Sequence, residues 1–195
     1  MDVQSAVDKR EAIEDAALAL FVEQGFHGTT VPEIARRAGV GTGTLYLYHA
    51  SKDELLDALL LKWVRTLADG IHTATRGATT PRAVFAAQWR SAVDFSERHA
   101  TAWDFLMAFH DSPYIAEETR REMAAIKAPL VAMFYTGVEQ GVFKSLPPEL
   151  LHTVCLGIMS QVRALAVRGQ TSVTAELWRA AEAMAWEAIC RKPAP

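Results

Sequence analysis

Small and hydroxyl-bearing side chains are concentrated in one short stretch of the chain. Small residues let a backbone come close to another molecule, and threonine offers a hydroxyl to a phosphate or base and a methyl group to a thymine methyl. Tyrosine hydroxyls can contact phosphate oxygens, and a lysine at a helix start adds a positive charge to the helix dipole. This set is therefore suited to contacts with a nucleic acid, and its members are Thr42, Gly43, Thr44, Tyr46, Tyr48 and Lys52.

Two short predicted helices would position these side chains. Thr30 and Glu33 form a capping box that predicts the start of the first helix, and Gly39 ends it. The second begins near Thr42, after a tight Gly-Val-Gly turn, and an amphipathic helix over residues 5–24 precedes both. This is the layout of a helix-turn-helix, whose second helix enters the major groove of DNA.

The rest of the chain predicts longer helices separated by Gly and Pro. A second capping box, Ser51 to Glu54, opens the first of them. No segment alternates with the period of a strand, so the fold class is all-α with about nine helices. A three-helix helix-turn-helix domain over residues 1–52 is expected to precede a helical bundle over residues 53–195. The predicted helices of that bundle are 52–69 with a stop at Asp69-Gly70, 80–98, 101–110, 112–140 with a kink or break at Pro129, 149–168 and 173–191.

The composition is that of a helical globular protein. Of 195 residues, 50% are apolar, 22% are charged and 33 are alanine, which excludes disordered, collagen-like and coiled-coil chains. A net charge of -3 argues against a basic architectural nucleic-acid protein but leaves room for a small focused site. Residues 1–52 carry five basic and seven acidic side chains, so we expect modest non-specific affinity for DNA.

Composition also bears on location. The longest uncharged run, residues 38–51, has 14 residues and is too short to span a bilayer, so no membrane partner is expected. The N-terminus has no apolar signal region, asparagine is absent and only Cys155 and Cys190 are cysteines. A soluble, reduced, cytoplasmic protein is the expectation.

Metal and catalytic patterns are weak. The six histidines include no pair four residues apart, and no H-E-x-x-H, G-x-S-x-G or phosphate-binding loop occurs. We therefore expect no metal, no cofactor and no enzymatic activity. An all-helical enzyme or protein-interaction module that never meets DNA is kept as the alternative.

The helix-turn-helix stretch resembles the N-terminal domain of TetR-type (TetR/AcrR-like) transcriptional regulators. The resemblance covers about residues 8–60, and the length and helical remainder of the chain also fit that family. The positions that carry it are Leu20-Phe21, Gly25-Phe26, Thr29-Thr30-Val31, Ile34-Ala35, Ala38-Gly39-Val40, Gly43-Thr44-Leu45-Tyr46, Ser51-Lys52 and Leu55-Leu56.

The resemblance implies roles for individual positions. Thr30 would cap the second helix and touch a phosphate, residues 42–44 would face base edges, and the two tyrosines and Lys52 would hold the DNA backbone. Gly41 departs from the usual serine N-cap. His49 stands where an aromatic residue is usual; it would either pack like one or contact the phosphate backbone, and it is kept among the predicted DNA contacts.

Aromatic residues and methionines are concentrated between residues 61 and 140. Most would be core, but the density is more than a compact bundle needs, and the resemblance implies a small-molecule effector site here. The effector would be a flat hydrophobic molecule of unknown identity. The predicted ligand-binding residues are Trp63, Gln88, Trp89, Trp103, Asp104, Met107, Phe109 and His110.

The last two predicted helices carry a broad apolar face. Such helices from two copies would form an intermolecular four-helix bundle with twofold symmetry, as the resemblance also implies. A homodimer is therefore expected. The predicted interface residues are Leu151, Val154, Cys155, Ile158, Val162, Leu177, Ala181, Met184 and Ile189.

Together these features predict a dimeric transcriptional repressor that a small hydrophobic effector releases from a palindromic DNA operator. A regulator of the same fold that activates, or that has no effector, remains open, as does the non-DNA alternative above.

Overall fold

A computed structural model describes residues 3–191 and the side chains from Asp8 onward. The described residues contain nine helices and no strand, which agrees with the predicted all-α class. The helices are α1 (Val3–Gly28), α2 (Val31–Arg37), α3 (Thr42–Tyr46), α4 (Lys52–Thr75), α5 (Pro81–Arg98), α6 (Ala100–Phe109), α7 (Glu117–Glu139), α8 (Pro148–Val167) and α9 (Ala175–Ile189).

The described chain divides into two compact units. Unit 1 holds the described residues of Met1–Thr66 and Arg98–Ala124, so it combines the helix-turn-helix with α6. Unit 2 holds those of Leu67–Glu97 and Ala125–Pro195, including α8 and α9.

Local sequence explains how the short helices of unit 1 begin. The Thr30 hydroxyl accepts a hydrogen bond from the Glu33 amide at 3.4 Å, which caps α2. The Ser51 hydroxyl accepts from the Glu54 amide at 3.0 Å, while the Glu54 carboxylate accepts from the Ala50 amide at 2.7 Å. Both predicted capping boxes therefore start helices, and α3 begins after Gly41 without a side-chain cap.

The predicted stop of the first helix is confirmed as an interruption. Gly25 has φ 72° and ψ 176°, a conformation that favours glycine, and the chain makes one further helical turn to Gly28. The Thr29 hydroxyl donates to the Gly25 carbonyl at 2.8 Å, which satisfies part of the interrupted backbone.

An aromatic core joins α1 to α6 within unit 1. The Phe21 ring lies 5.9 Å from the Phe26 ring and 6.1 Å from that of Phe105. Phe109 packs against Phe21 at 5.9 Å, and Trp103 of α6 is also buried. Several large apolar residues of the 85–109 segment are therefore structural.

Two predicted boundaries were wrong, and of the kink or break predicted at Pro129 the break does not occur in α7. Helix α4 continues through Gly70, where an added Cβ would lie 3.4 Å from the Ser91 hydroxyl, so this glycine marks a close helix approach rather than a stop. Helix α7 begins at Glu117 instead of near residue 112, because the Ser112 hydroxyl accepts from the Tyr114 amide and holds a turn. Pro129 is exposed within an α7 that stays a single helix.

Unit 2 is organised around α8 and α9. The Arg82 guanidinium donates to Glu182 of α9 at 2.6 Å, and the Trp178 indole donates to Glu97 at 2.9 Å. Phe143 fills the space over Gly137, where an added Cβ would lie 2.2 Å from the ring, and forms an isolated bridge with Cys190. These contacts fix α9 to its own chain along one side.

Helix α8 is long and apolar enough to cross a membrane by length and composition alone. The search for uncharged runs missed it because Glu149 and Arg163 interrupt the stretch. One such helix is weak evidence for a membrane span, and the Arg163 guanidinium donates to the Ser96 carbonyl within unit 2.

Candidate nucleic-acid interface and ligand sites

The five residues of α3 present small and hydroxyl-bearing groups outward. Leu45 is fully buried and anchors the helix. Thr42 and Gly43 are exposed, Thr44 is half-buried, and Tyr46 is 52% exposed. This arrangement brings the predicted base-contacting residues together on one accessible surface.

Lys52 is engaged inside unit 1. Its ammonium donates to the carbonyl oxygens of Phe26 at 2.7 Å and Thr29 at 2.8 Å, and lies 4.1 Å from the centre of the Phe26 ring. These contacts fasten the start of α4 to the end of α1. An ammonium has three donors, so these two hydrogen bonds leave one, and the contact of Lys52 with the DNA backbone stays a prediction.

His49 does not reach the surface. It is 1% exposed, and its Nε2 lies 3.8 Å from a carboxylate oxygen of Glu14. Burial lowers the pKa of His49, an effect that the Glu14 charge opposes. The packing alternative is therefore correct, and a phosphate contact by His49 is wrong because the ring is enclosed.

The predicted phosphate contact by the Tyr48 hydroxyl is also wrong for this conformation. Its oxygen is buried and has no hydrogen-bond partner among the described residues. Thr30, by contrast, is exposed, and its hydroxyl caps α2.

The buried carboxylate of Glu14 is a structural centre that the sequence analysis missed. It accepts hydrogen bonds from Arg10 at 2.9 Å and Lys62 at 2.7 Å, which ties α1 to α4. Burial acts to raise the pKa of Glu14, but the hydrogen bonds from Lys62 and Arg10 outweigh it and hold the pKa below its ordinary value.

Leu47 was also not singled out by the sequence analysis. It follows α3 directly and is 77% exposed. A period-based search for core positions gives such a residue no role, because it lies outside the apolar face.

The predicted ligand-binding residues are divided between the two units. In unit 1, Trp103 and Phe109 are buried core residues. His110 is exposed, and its Nε2 lies 2.9 Å from Oδ2 of Asp111. The exposed His110 therefore stays a predicted ligand contact. Trp63, Asp104 and Met107 are half-buried in unit 1, and Gln88 and Trp89 belong to unit 2.

An open cleft of about 390 Å³ lies in unit 1 beside the end of α6. Phe109 and His110 line it, together with Phe26, His27 and Tyr114. The Tyr114 hydroxyl lies 2.5 Å from His27 Nε2, and the Tyr114 ring stacks on Phe26 at 4.4 Å. This cleft does not include the other predicted ligand-binding residues.

In unit 2, Trp89 is buried and its indole nitrogen has no hydrogen-bond partner within the described chain. The Gln88 amide donates to the Leu130 carbonyl at 3.2 Å. The Trp89 indole N–H is thus a buried donor without an acceptor among the described residues.

Some of the predicted dimer residues are covered by their own chain. These buried residues are Leu151, Cys155, Ala181 and Ile189. Their assignment to a dimer interface was wrong, because they attach α8 and α9 to the rest of unit 2. Burial raises the pKa of the Cys155 thiol to about 12, which makes it unreactive.

The other predicted interface residues are less covered by their own chain. Val154 is 37% exposed and Met184 is 63% exposed, and Ile158, Val162 and Leu177 are half-buried. Leu150, at 46%, extends this surface along α8. We call the set Leu150, Val154, Ile158, Val162, Leu177 and Met184 the α8–α9 face.

Family models match almost the whole chain. Residues 13–59 match a model described as bacterial regulatory proteins, tetR family, and residues 60–191 match a tetracyclin repressor-like C-terminal domain. The chain belongs to the TetR family.

Individual relatives agree with this TetR-family assignment. The transcriptional regulator BetI of Rhizobium meliloti (strain 1021) is 35% identical over 116 residues, 58% of this chain and 56% of that protein. The transcriptional activator FasR of Mycolicibacterium smegmatis (strain ATCC 700084 / mc(2)155) is 32% identical over 110 residues, 56% of this chain and 49% of that protein. The chain thus spans about half the length of these curated relatives.

A solved structure extends the similarity over nearly the full length. A TetR-family transcription regulator from Shewanella sp. PV-4 is 28% identical, with a TM-score of 0.81 covering 94% of this chain and 99% of that one. The TetR-family relatives are named as transcriptional regulators, which argues against the alternative of an all-helical enzyme.

Proposed function

We propose that the protein is a cytoplasmic, homodimeric transcriptional repressor that binds a near-palindromic DNA operator and is released by a small apolar effector. The observation that carries this proposal is the outward surface of α3, where the buried Leu45 holds Thr42, Gly43 and Tyr46 accessible. We assign this role to a DNA-binding domain over residues 1–52, followed by an effector and dimer domain over residues 53–195.

Direct recognition of DNA would rest on hydroxyl groups and close backbone approach. The threonines of α3 can bond to bases or phosphates, and Tyr46 can bond to a phosphate. Of the two arginines of α2, Arg37 is held by Glu23 through hydrogen bonds of 2.6 and 2.8 Å. With few free cations on this surface, affinity would depend on two copies binding together.

The α8–α9 face supports the dimer. Its apolar residues are unburied in one chain, and a second copy of the same surface would cover them around a twofold axis. Two recognition helices would then reach successive major grooves, roughly 34–36 Å apart.

The effector proposal rests on the buried aromatic residues of the second domain. The unmade hydrogen bond of the Trp89 indole is costly in an apolar environment, and a ligand acceptor such as a carbonyl oxygen would satisfy it. Helix α4 begins directly after the helix-turn-helix. An effector that shifts α4 would therefore change the distance between the two DNA-binding domains of the dimer.

The sign of regulation is proposed from the description of the matched C-terminal domain as tetracyclin repressor-like. The relative FasR is named an activator, so activation by the same fold is the second candidate. Transcription from a promoter carrying the operator would rise on deletion of the gene for a repressor and fall for an activator.

Selection of random duplex DNA on the purified protein tests the proposal. Wild type should enrich a motif with two inverted half-sites, and a Thr42→Ala, Tyr46→Phe double variant should enrich it much less. Thr73→Ala, at an exposed position of α4, is the matched control and should enrich the same motif. Failure of wild type to enrich any motif at low salt would contradict DNA recognition.

The effector part is tested separately with the selected duplex. Panels of flat apolar compounds with and without a carbonyl group are titrated into the protein–DNA complex. Release by a carbonyl compound from wild type, but not from Trp89→Phe, is expected. If no class of compound changes DNA affinity, the effector proposal fails while DNA recognition stands.

A further inference from the structure

Leu47 is the most exposed large apolar residue that the structure describes, at 77%. Its amide donates to the Thr44 carbonyl at 3.2 Å, and its φ of -72° and ψ of -23° continue the turn of α3. The side chain therefore has a defined direction at the end of the recognition helix.

That direction is away from the core. Successive residues of an α-helix turn by about 100°, so Leu47 lies roughly 200° from the buried Leu45. Gly43 and Thr44, four and three residues earlier, share its side of the helix. Leu47 thus belongs to the same surface as two residues assigned to base edges.

The recognition segment lacks the side chains that read most bases. From Ala38 to Ser51 there is no Arg, Lys, Asn, Gln, Asp or Glu. Bidentate contacts to guanine or adenine, and carboxylate contacts to cytosine, need those residues. What this surface offers instead is hydroxyl groups, the small methyl groups of the threonines and one large exposed aliphatic side chain, Leu47. The apolar group at the major-groove edge of a base pair is the C5 methyl of thymine.

We propose that Leu47 reads a thymine in each half-site by packing its methyl groups against the thymine C5 methyl. The inference rests on the proposed DNA recognition by α3, and it names the base that this surface selects. Leu47 is then a specificity-determining residue, and DNA covers its exposed side chain in the complex.

Replacement of single thymines by deoxyuridine tests this contact, because it removes the C5 methyl and leaves base pairing intact. The probe is the duplex selected on wild type, with affinity measured by fluorescence anisotropy. Wild type should lose about fourfold or more at one thymine of each half-site, the effect of one buried methyl group. Leu47→Ala should bind the thymine duplex more weakly and bind the thymine and deoxyuridine duplexes equally.

Leu146→Ala in unit 2, also an exposed leucine, is the matched control and should discriminate as wild type does. Far-ultraviolet circular dichroism and thermal melting establish that both variants fold. Wild type that is indifferent to every substitution, or a Leu47→Ala variant that stays sensitive at the same thymine, would overturn the proposal while DNA recognition stands. Failure to select any duplex would overturn DNA recognition itself.

Discussion

The helix-turn-helix and the α8–α9 face expose opposite kinds of chemistry. Around α3, the accessible groups are hydroxyls, a backbone without side chains at Gly43, and one leucine. Along α8 and α9 they are aliphatic side chains such as Val154 and Met184. The first suits a hydrated, charged partner with a few apolar points, and the second suits a dry contact with a like surface.

The two surfaces are also held in place differently. The five residues of α3 are too few to form a stable helix alone, so the buried Leu45 and the capped helices around it fix its position. Helix α8 has 20 residues and packs on its own unit through Leu151, Cys155 and Met159. The α3 surface is thus held by buried and capped neighbours, whereas the α8–α9 face is held by packing along a long helix.

The largest expected effect comes from placing charge on the α8–α9 face. A Val154→Asp, Met184→Asp variant should be a monomer of about 21.4 kDa by light scattering, because two carboxylates per chain would be buried against the partner. Loss of the second half-site should also weaken operator binding at least about a hundredfold. Ala83→Asp, at an exposed first-turn position of α5 in the same unit, should stay dimeric. A dimeric double variant would contradict the assignment.

On the α3 surface, a Thr44→Ala, Tyr46→Phe variant should lose about 1–3 kcal/mol of operator affinity, because each change removes one hydroxyl. Anisotropy titration measures this loss. Tyr135→Phe removes the hydroxyl of another exposed tyrosine, in unit 2, and should bind as wild type does. Unchanged affinity of the double variant would remove both residues from the interface.

A pH effect on stability is expected from one histidine in each region. Burial lowers the pKa of His152 on α8 to about 4, so the folded state resists a proton that the unfolded state accepts below about 6.5. Stability should therefore fall with decreasing pH through this window, by about 2 kcal/mol between pH 7.5 and 5 from His152 alone. His49 has a pKa shifted in the same direction and should add to the fall.

Urea unfolding at the two pH values, at fixed protein concentration, checks this prediction. His152→Leu should lose less stability on acidification than wild type, whereas His72→Leu, at an exposed position of α4, should behave as wild type. Identical pH dependence in wild type and His152→Leu would refute the assignment.

A smaller effect on stability is expected from removing the Lys52 ammonium. Lys52→Met should reduce stability by about 1–2 kcal/mol, because the carbonyls of Phe26 and Thr29 lose a charged donor. Lys9→Met, at an exposed position of α1, is the control. A Lys52→Met protein with wild-type melting but weaker DNA binding would mean that Lys52 acts mainly on phosphate.

Local signals account for what sequence could predict. The capping pairs at Thr30 and Ser51 determine where α2 and α4 begin, because both partners of each pair lie within four residues. Gly70 was misread because a glycine that ends a helix and one that admits a neighbouring helix look alike in sequence. Only the position of Ser91, 21 residues away, distinguishes the two.

The candidate sites show the same limit. Apolar periodicity found the residues of α8, but it could not tell Leu151, which its own chain covers, from Leu150, which remains exposed. His49 likewise lies against a residue distant in sequence, Glu14, and the Tyr48 hydroxyl is buried as well. Residue types predicted the kind of partner, and tertiary packing decided which side chains can reach it.

Binding to operators with one altered half-site tests the central claim most directly, namely that two α3 surfaces of one dimer read one DNA site. Anisotropy titrations would compare the selected duplex with a duplex of equal length in which one half-site is scrambled. Joint reading by two α3 surfaces requires that wild type lose at least about a hundredfold in affinity on scrambling, whereas the Val154→Asp, Met184→Asp monomer should bind both duplexes equally weakly. Wild type that binds the scrambled and intact duplexes with the same affinity would contradict it.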